Sequence, residues 1–410
     1  MSDVRVEDIR AAATLLKDVV WPTPTAPARR LSATLGVDIA LKLENLQITG
    51  SFKARGAFVK LSSLDAGQRA RGVIAMSAGN HAQGVAFHCQ RLGIPATIVM
   101  PKQTPFTKVE RTEALGARVK LKGTTLAEAA EYANERAAAK GLAFIHPYDD
   151  PLVIAGQGTV GLEMLFARPD LDTLVVPIGG GGLIAGIATA AKALKPQIAV
   201  IGVQTLLYPE MARRFGKAVP ERPADAAPAT LAEGIAVKAP GRITGRIVAG
   251  LVDDIILASE TAVERAVSLL MAEEKLVAEG AGAAALAAML AEPARFAGRK
   301  VGLVVSGGNI DRRMLASILM RGLARESRIA RLRIEINDAP GMLAKVSGAI
   351  AAAGGNIIEI YHQRLFSDVP VMRADLDVLI ETRGSDHLAE IEAKLAQSGF
   401  ACRRLGNTAS

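Results

Sequence analysis

Half of the 410 residues are hydrophobic and 22% are charged, which excludes a disordered or fibrous chain and supplies more apolar material than one core usually holds. Glycine is abundant at 39 residues while aromatics make up 4%, a balance suited to helices packed closely on strands with glycine-rich turns between them. The formal charge of +8 comes from 49 basic and 41 acidic side chains mixed along the predicted helices, so no nucleic-acid partner is expected and a small anionic ligand is enough to consider.

The opening residues, MSDVRVEDIR, are charged and carry no apolar signal-peptide core, so secretion is not expected. Short apolar or β-branched runs at 40–43, 72–77, 97–100, 117–120 and 143–146 predict strands. Helical spacing over 52–61, 80–91, 107–115 and 127–140 separates them. The alternation continues with strands at 173–178, 199–203 and 299–305 and helices at 183–194, 262–272 and 278–290, which predicts an α/β architecture with parallel crossovers. The uncharged stretch 174–191 has the length of a membrane span, but Pro177 and four consecutive glycines divide it into strand, loop and helix, so no membrane association is expected. Residues 208–240, rich in Pro, Ala, Arg and Glu, read as a surface excursion.

After Arg321 a charged segment leads into a new series of elements, and a domain boundary is expected there. Residues 1–321 then form one region, with a small lobe of about residues 47–148 inserted in a larger one. Residues 329–410 predict strand 332–336, helix 342–353, strands 356–363 and 371–381, helix 387–397 and strand 401–405, a ferredoxin-like βαββαβ unit. The two cysteines, Cys89 and Cys402, lack metal-site spacing; a cytoplasmic protein without a metal is expected.

Four segments carry chemistry. In KLENLQITGSFKARG (42–56), Lys53 lies just inside a helix start, after Gly50 and the candidate cap Ser51, where the positive end of the helix dipole disfavours protonation. Such an amine is a plausible nucleophile, although alone it reads as an ordinary surface lysine. Ser77, Ala78, Gly79, Asn80 and His81 stand between a strand and a helix, where free N–H groups can hold a carboxylate; alone this is more simply a capping turn. Gly179, Gly180, Gly181, Gly182 and Leu183 join a strand to a helix without side chains to keep a phosphate away, and neither a Walker lysine nor a GxGxxG spacing points to a nucleotide. Ser306 ends a buried-looking strand in VVSGGN, which alone reads as a strand-ending turn. Glu279, in AEGAGA, is as consistent with a helix N-terminal acid as with a catalytic group and is given no catalytic role.

Taken together and in this order, over nearly the first 320 residues, these segments resemble the fold-type II pyridoxal-phosphate (PLP) enzymes, and most closely their threonine dehydratase branch. The resemblance implies a two-lobed catalytic region like that of the tryptophan synthase β-chain. It implies that Lys53 carries the cofactor, pyridoxal 5'-phosphate, as a Schiff base and acts as the catalytic base. Cofactor binding falls by the same resemblance on Phe52, Lys53, Asn80, Gly179, Gly180, Gly181, Gly182, Leu183 and Ser306, and substrate binding on Ser77, Ala78, Gly79, Asn80 and His81. Asn80 would donate to the phenolic oxygen, and the cofactor phosphate would protonate the leaving hydroxyl. Ser306 would face the pyridine nitrogen, and a hydroxyl there makes the ring a moderate electron sink suited to β-elimination.

The activity implied is that of a threonine ammonia-lyase, giving 2-oxobutyrate and ammonia from L-threonine and pyruvate from L-serine. A serine racemase or hydroxyaspartate dehydratase on the same scaffold is the alternative. Racemising members carry a second hydroxyl where this chain has Ala78, and Gln204, Tyr208 and Glu210 stand in the region of their acid-rich metal segment. The C-terminal region resembles an ACT domain at its turns 337–343 and 354–357, implying an amino-acid or nucleotide effector; a purely dimerising role is the other reading. A homodimer or homotetramer is expected. A non-catalytic amino-acid sensor is the reading from another class, and intact Lys53, Asn80, glycine run and Ser306 weigh against it.

Overall fold

In the computed structural model, which describes residues 4–221, 229–363, 370 and 372–406, the alternation of strand and helix up to residue 310 builds two parallel sheets. The strands in chain order are β1 (Thr25–Pro27), β2 (Asp38–Leu43), β3 (Val73–Met76), β4 (Ala96–Met100), β5 (Arg118–Leu121), β6 (Ala143–Phe144), β7 (Thr173–Pro177), β8 (Ala199–Thr205), β9 (Asp254–Ala258) and β10 (Lys300–Val305). The larger sheet runs β1-β2-β10-β7-β8-β9, parallel except for β1. The smaller one runs β5-β4-β3-β6, parallel throughout. Every residue of β7, and all but the first of β8 and β10, is buried, as expected of a sheet covered by helices on both faces.

Two strands, β1 and β9, were not expected from the sequence. β1 has only three residues, too few to show a period. The surface excursion expected over 208–240 is corrected in part: Met211 and Ala212 lie in the core of the larger lobe, and Ala232 and Ile235 are also buried. Residues 222–228 of that stretch lie outside the described residues.

The helix Lys53–Ser62 is anchored by a charge cluster that is buried except at Glu163. Arg55 donates from Nε and Nη2 to Glu44 at 2.8 Å each, and from Nη1 and Nη2 to Glu163 at 2.5 and 2.9 Å. Lys42 Nζ donates to Glu163 at 2.5 Å and to the Thr23 carbonyl at 2.6 Å, while the Thr23 hydroxyl donates to Glu44. Lys42, Glu44 and Arg55 are fully buried. Two cations balance two carboxylates, and each is hydrogen-bonded, which is the condition under which charge is tolerated inside a protein.

The chain divides into two compact units, Met1–Ile310 and Asp311–Ser410. Helix Arg312–Arg325 carries the second unit through the compositional change at Arg321. That unit then contributes β11 (Ile329–Asn337), β12 (Asn356–Gln363), β13 (Arg373–Glu381) and β14 (Cys402–Arg404), with helices Met342–Ala352 and Ser385–Gln397. The antiparallel order β12-β13-β11-β14 is ferredoxin-like. Alternation sends Leu332, Ile334 and Ile336 of β11, and Leu376, Val378 and Ile380 of β13, into one core with Val346, Ile350, Leu388, Ile391 and Leu395 of the two helices. Val371, where the last long strand was expected to begin, lies outside the described residues. No helix among the described residues is long and apolar enough to cross a membrane.

Candidate active site

The segments singled out in the sequence all follow carboxyl ends of parallel strands: β2 leads to Lys53, β3 to Ser77–His81, β7 to the glycine run and β10 to Ser306. Loops at that end of a parallel sheet are where ligands bind in open α/β folds.

Lys53 is reached through a strained turn. Thr49 adopts φ 64°, which a β-branched residue avoids at a cost of roughly 1–3 kcal/mol. The chain that follows β10 holds it there. Asn309 Nδ2 donates to the Thr49 carbonyl at 2.7 Å, the Gly308 N–H to the Gly50 carbonyl at 2.9 Å and the Phe52 N–H to the Ser306 carbonyl at 3.2 Å. Ser51 does not cap the helix as expected: Phe52 occupies that position, and the Ser51 hydroxyl is buried without a partner. Lys53 Nζ donates to the Pro147 carbonyl at 2.7 Å. Its pKa is pushed down to about 8, chiefly by burial, with Glu279 opposing. The helix dipole offered in the sequence reading is therefore not the main cause.

Around the turn after β3, the Ser77 hydroxyl accepts from the Gly79 N–H at 3.1 Å. Among the described residues nothing accepts from the N–H groups of Ala78, Asn80 or His81, which open the helix Asn80–Leu92. The His81 ring turns away into the protein and bonds the Ile145 carbonyl through Nε2 at 2.9 Å. Burial first, and the Lys53 charge second, hold it neutral with a pKa of about 3. It ties the loop after β6 in place and is not poised to exchange protons near neutrality.

The glycine turn is enclosed. Among the described residues no carbonyl or side chain accepts from the N–H groups of Gly179, Gly180, Gly181, Gly182 or Leu183, although all but Gly179 are buried. Their carbonyl side is fixed: Gly180 accepts from the Thr244 hydroxyl at 2.7 Å and from the Gly241 N–H at 3.2 Å. A side chain at Gly180 would overlap the Tyr148 ring. Sequence reasoning missed the loop to which Tyr148 belongs. His146 Nδ1 accepts from the N–H groups of Tyr148 and Asp149, and the Asp149 carboxylate caps helix Arg242–Leu251 through the N–H groups of Arg242, Ile243 and Thr244. One short loop thus bonds the Lys53 amine through Pro147 and packs on the glycine turn through Tyr148. The sequence carried a signal for it, the run His146-Pro147-Tyr148-Asp149-Asp150 at the end of the strand predicted over 143–146.

Buried donors without acceptors carry a large penalty unless a ligand supplies the acceptor. A phosphate would find five consecutive N–H groups without acceptors among the described residues at the start of a 13-residue helix, and an aldehyde would find a desolvated amine. The residues present therefore fit a phosphorylated aldehyde. The profile of the family described as pyridoxal-phosphate dependent enzyme matches residues 16–307. The chain belongs to that family. It is 44% identical over 403 residues to the L-threonine ammonia-lyase of Thermotoga maritima, covering 98% of this chain and 100% of that one. Among solved structures it resembles a threonine deaminase from T.th., with a TM-score of 0.70, 41% identity and 75% and 99% of the two chains covered. It also resembles maize serine racemase, with a TM-score of 0.72, 32% identity and 79% and 99% covered.

In this PLP-dependent enzyme Ser306 is buried, and its hydroxyl donates to the Ala281 carbonyl at 3.3 Å. Glu279, left without a role in the sequence reading, lies in the same group: its carboxylate accepts from Asn80 Nδ2 at 2.6 Å and its N–H donates to the Gly307 carbonyl at 3.1 Å. Burial pushes its pKa up to about 7 against the Asn80 hydrogen bond. Its backbone does stand at the start of helix Gly280–Ala291, but the side chain caps nothing and turns to the site.

Proposed function

We propose that the chain is an L-threonine ammonia-lyase that converts L-threonine to 2-oxobutyrate and ammonia, and L-serine to pyruvate and ammonia. The observation that carries this reading is the Lys53 amine, lowered to about 8 and held by Pro147 in the loop that packs on the Gly180 turn. The near full-length likeness to a protein named L-threonine ammonia-lyase supports the substrate. Lys53 would bind the cofactor aldehyde, the N–H groups of Gly179, Gly180, Gly181, Gly182 and Leu183 would hold its phosphate, and Phe52, Asn80 and Ser306 are the residues that would contact its ring.

When bound, the cofactor supplies an electron-accepting ring that makes the substrate Cα–H acidic. Lys53, neutral in part at neutral pH, takes that proton as the base. The turn Ser77, Ala78, Gly79, Asn80 and His81 receives the substrate carboxylate on its free N–H groups, helped by the dipole of the 13-residue helix behind it. Ala78 offers only a methyl group, so it can return no proton to the opposite face of the substrate, which favours elimination over racemisation. The C-terminal unit binds an amino-acid or nucleotide effector and couples it to the lyase, and the chain assembles as a homodimer or homotetramer in the cytoplasm.

Oxoacid, ammonia and D-amino acid formed from L-threonine and L-serine test this reading directly. The expected result is oxoacid and ammonia in equal amounts, and a loss of at least about 10³-fold in Lys53→Ala. D-serine appearing faster than pyruvate would overturn it in favour of a racemase. Isoleucine, valine or an adenine nucleotide should shift the substrate concentration giving half-maximal rate; indifference to all of them would remove the effector role.

A further inference from the structure

Asn80 is held from both ends of its amide. Its Nδ2 donates to Glu279 at 2.6 Å, and its Oδ1 accepts from Asn309 Nδ2 at 2.8 Å, while the same Asn309 nitrogen donates to the strained Thr49 carbonyl. An amide nitrogen has two hydrogens, so with Oδ1 taken by Asn309 and one hydrogen by Glu279, a single N–H remains for a ligand. Glu279 lies against Gly307: its backbone N–H is bonded to the Gly307 carbonyl, and a side chain at Gly307 would come within 2.6 Å of its carboxylate, so the glycine leaves the room the carboxylate occupies.

We propose that Glu279 is a positioning residue for the cofactor, acting through Asn80: it fixes the amide so that the remaining N–H is the one donor Asn80 offers to the ring. The inference rests on the cofactor reading given above. The charged groups facing Glu279 are Lys53 from helix Lys53–Ser62, Lys108 from helix Phe106–Ala114 and Glu233 from the turn Glu233–Ile235, and Lys108 and Glu233 are themselves paired at 2.5 Å. With burial added, the carboxyl titrates at about 7, so it changes charge across neutral pH within one hydrogen bond of the residue that contacts the cofactor. A merely structural glutamate would leave no such mark on the cofactor.

The test uses the holoenzyme and the visible absorbance of its cofactor between about pH 6 and pH 8.5, a range that brackets the carboxyl. Glu279→Gln keeps an oxygen to accept from Asn80 but removes the charge. It should bind the cofactor within about threefold of wild type, remain linked at Lys53 after borohydride reduction and lose the spectral change centred near pH 7. Glu279→Leu should weaken cofactor binding about tenfold alone and less than about twofold in an Asn80→Ala background, since the two residues act as one unit. An absorbance titration of Glu279→Gln that superimposes on wild type overturns the inference, as does an undiminished effect of Glu279→Leu in the Asn80→Ala background. Wild-type protein that takes up no cofactor would instead bring down the reading of Lys53 itself, and this inference with it.

Discussion

Around Lys53, burial pushes three groups toward their neutral forms: the lysine down to about 8, Glu279 up to about 7 and His81 down to about 3. On the C-terminal sheet the direction reverses. Arg333, directly across from Asp377 in the β11–β13 register, donates to it at 2.6 and 2.8 Å, and Arg331 adds a third bond at 2.9 Å, so Asp377 is held below the usual carboxylate range. What sets the direction on the C-terminal sheet is the partner, first of all the hydrogen bonds from Arg333. A desolvated group without a full counter-charge is driven toward its neutral form, which brings Lys53 and Glu279 close to neutral pH and takes His81 away from it, while one matched by an opposite charge is locked in its charged form. Glu44 and Arg55 show that this contrast does not follow the division into units, because they lie in the catalytic unit and hold each other in their charged forms, Glu44 lowered and Arg55 raised, although burial lowers their neighbour Lys42.

The largest expected effect tests that assignment. Arg55→Met leaves Glu44 and Glu163 facing Lys42 alone, and removal of one partner from a buried cluster costs about 3–5 kcal/mol. A urea midpoint near that of wild type would mean the cluster is not locked. Next is the free amine. The rate at which apoprotein captures cofactor should rise roughly fiftyfold from pH 6 to pH 8, the change in neutral fraction for an amine titrating at about 8, and then level off. A rate still climbing at pH 10 would return Lys53 to ordinary lysine behaviour. The third concerns the enclosure that desolvates the site. Gly180→Ala drives a methyl group into the Tyr148 ring and should cost about 1–3 kcal/mol, read as a fall in melting temperature together with weaker cofactor binding. Tyr148→Ala in the same chain should recover part of the loss.

Much of this arrangement was legible in the sequence because it sits in short contiguous runs. The Lys53 segment, the Ser77–His81 turn, the glycine run and Ser306 each occupy one strand-to-helix junction, and alternation of strand and helix predicts that such junctions share one end of a sheet. What escaped depends on pairs distant in sequence. Pro147 matters because its carbonyl meets Lys53, and Glu279 because its carboxylate meets Asn80; neither fact is written in the residues beside them. Met211 and Ala212 were placed on the surface because their neighbourhood is rich in proline and charge, although packing buries the two apolar residues of a five-residue helix. In the C-terminal unit the alternation of Leu332, Ile334 and Ile336 in β11 announced a buried face, while the pairing of Arg333 with Asp377 needed the strand register.

The smallest expected effects come from the locked charges of the C-terminal sheet, and their pH dependence distinguishes them from the site. Arg331 is about half exposed, so Arg331→Ala should cost at most about 1 kcal/mol. Asp377 has a folded pKa below its unfolded value, so its contribution to stability is fully present above the ordinary carboxylate range and is lost as the pH falls through that range toward the depressed value. Glu279 has the opposite sign: its folded pKa is raised, so its contribution is present below the ordinary carboxylate range and is lost as the pH rises toward 7. Melting temperatures of the apoprotein at about pH 3, 5 and 7 separate the two, because Asp377→Asn should flatten only the acid side of the profile and Glu279→Gln only the neutral side. If both substitutions flatten the same side, the electrostatic contrast between the two regions fails even though every hydrogen bond described in them is present.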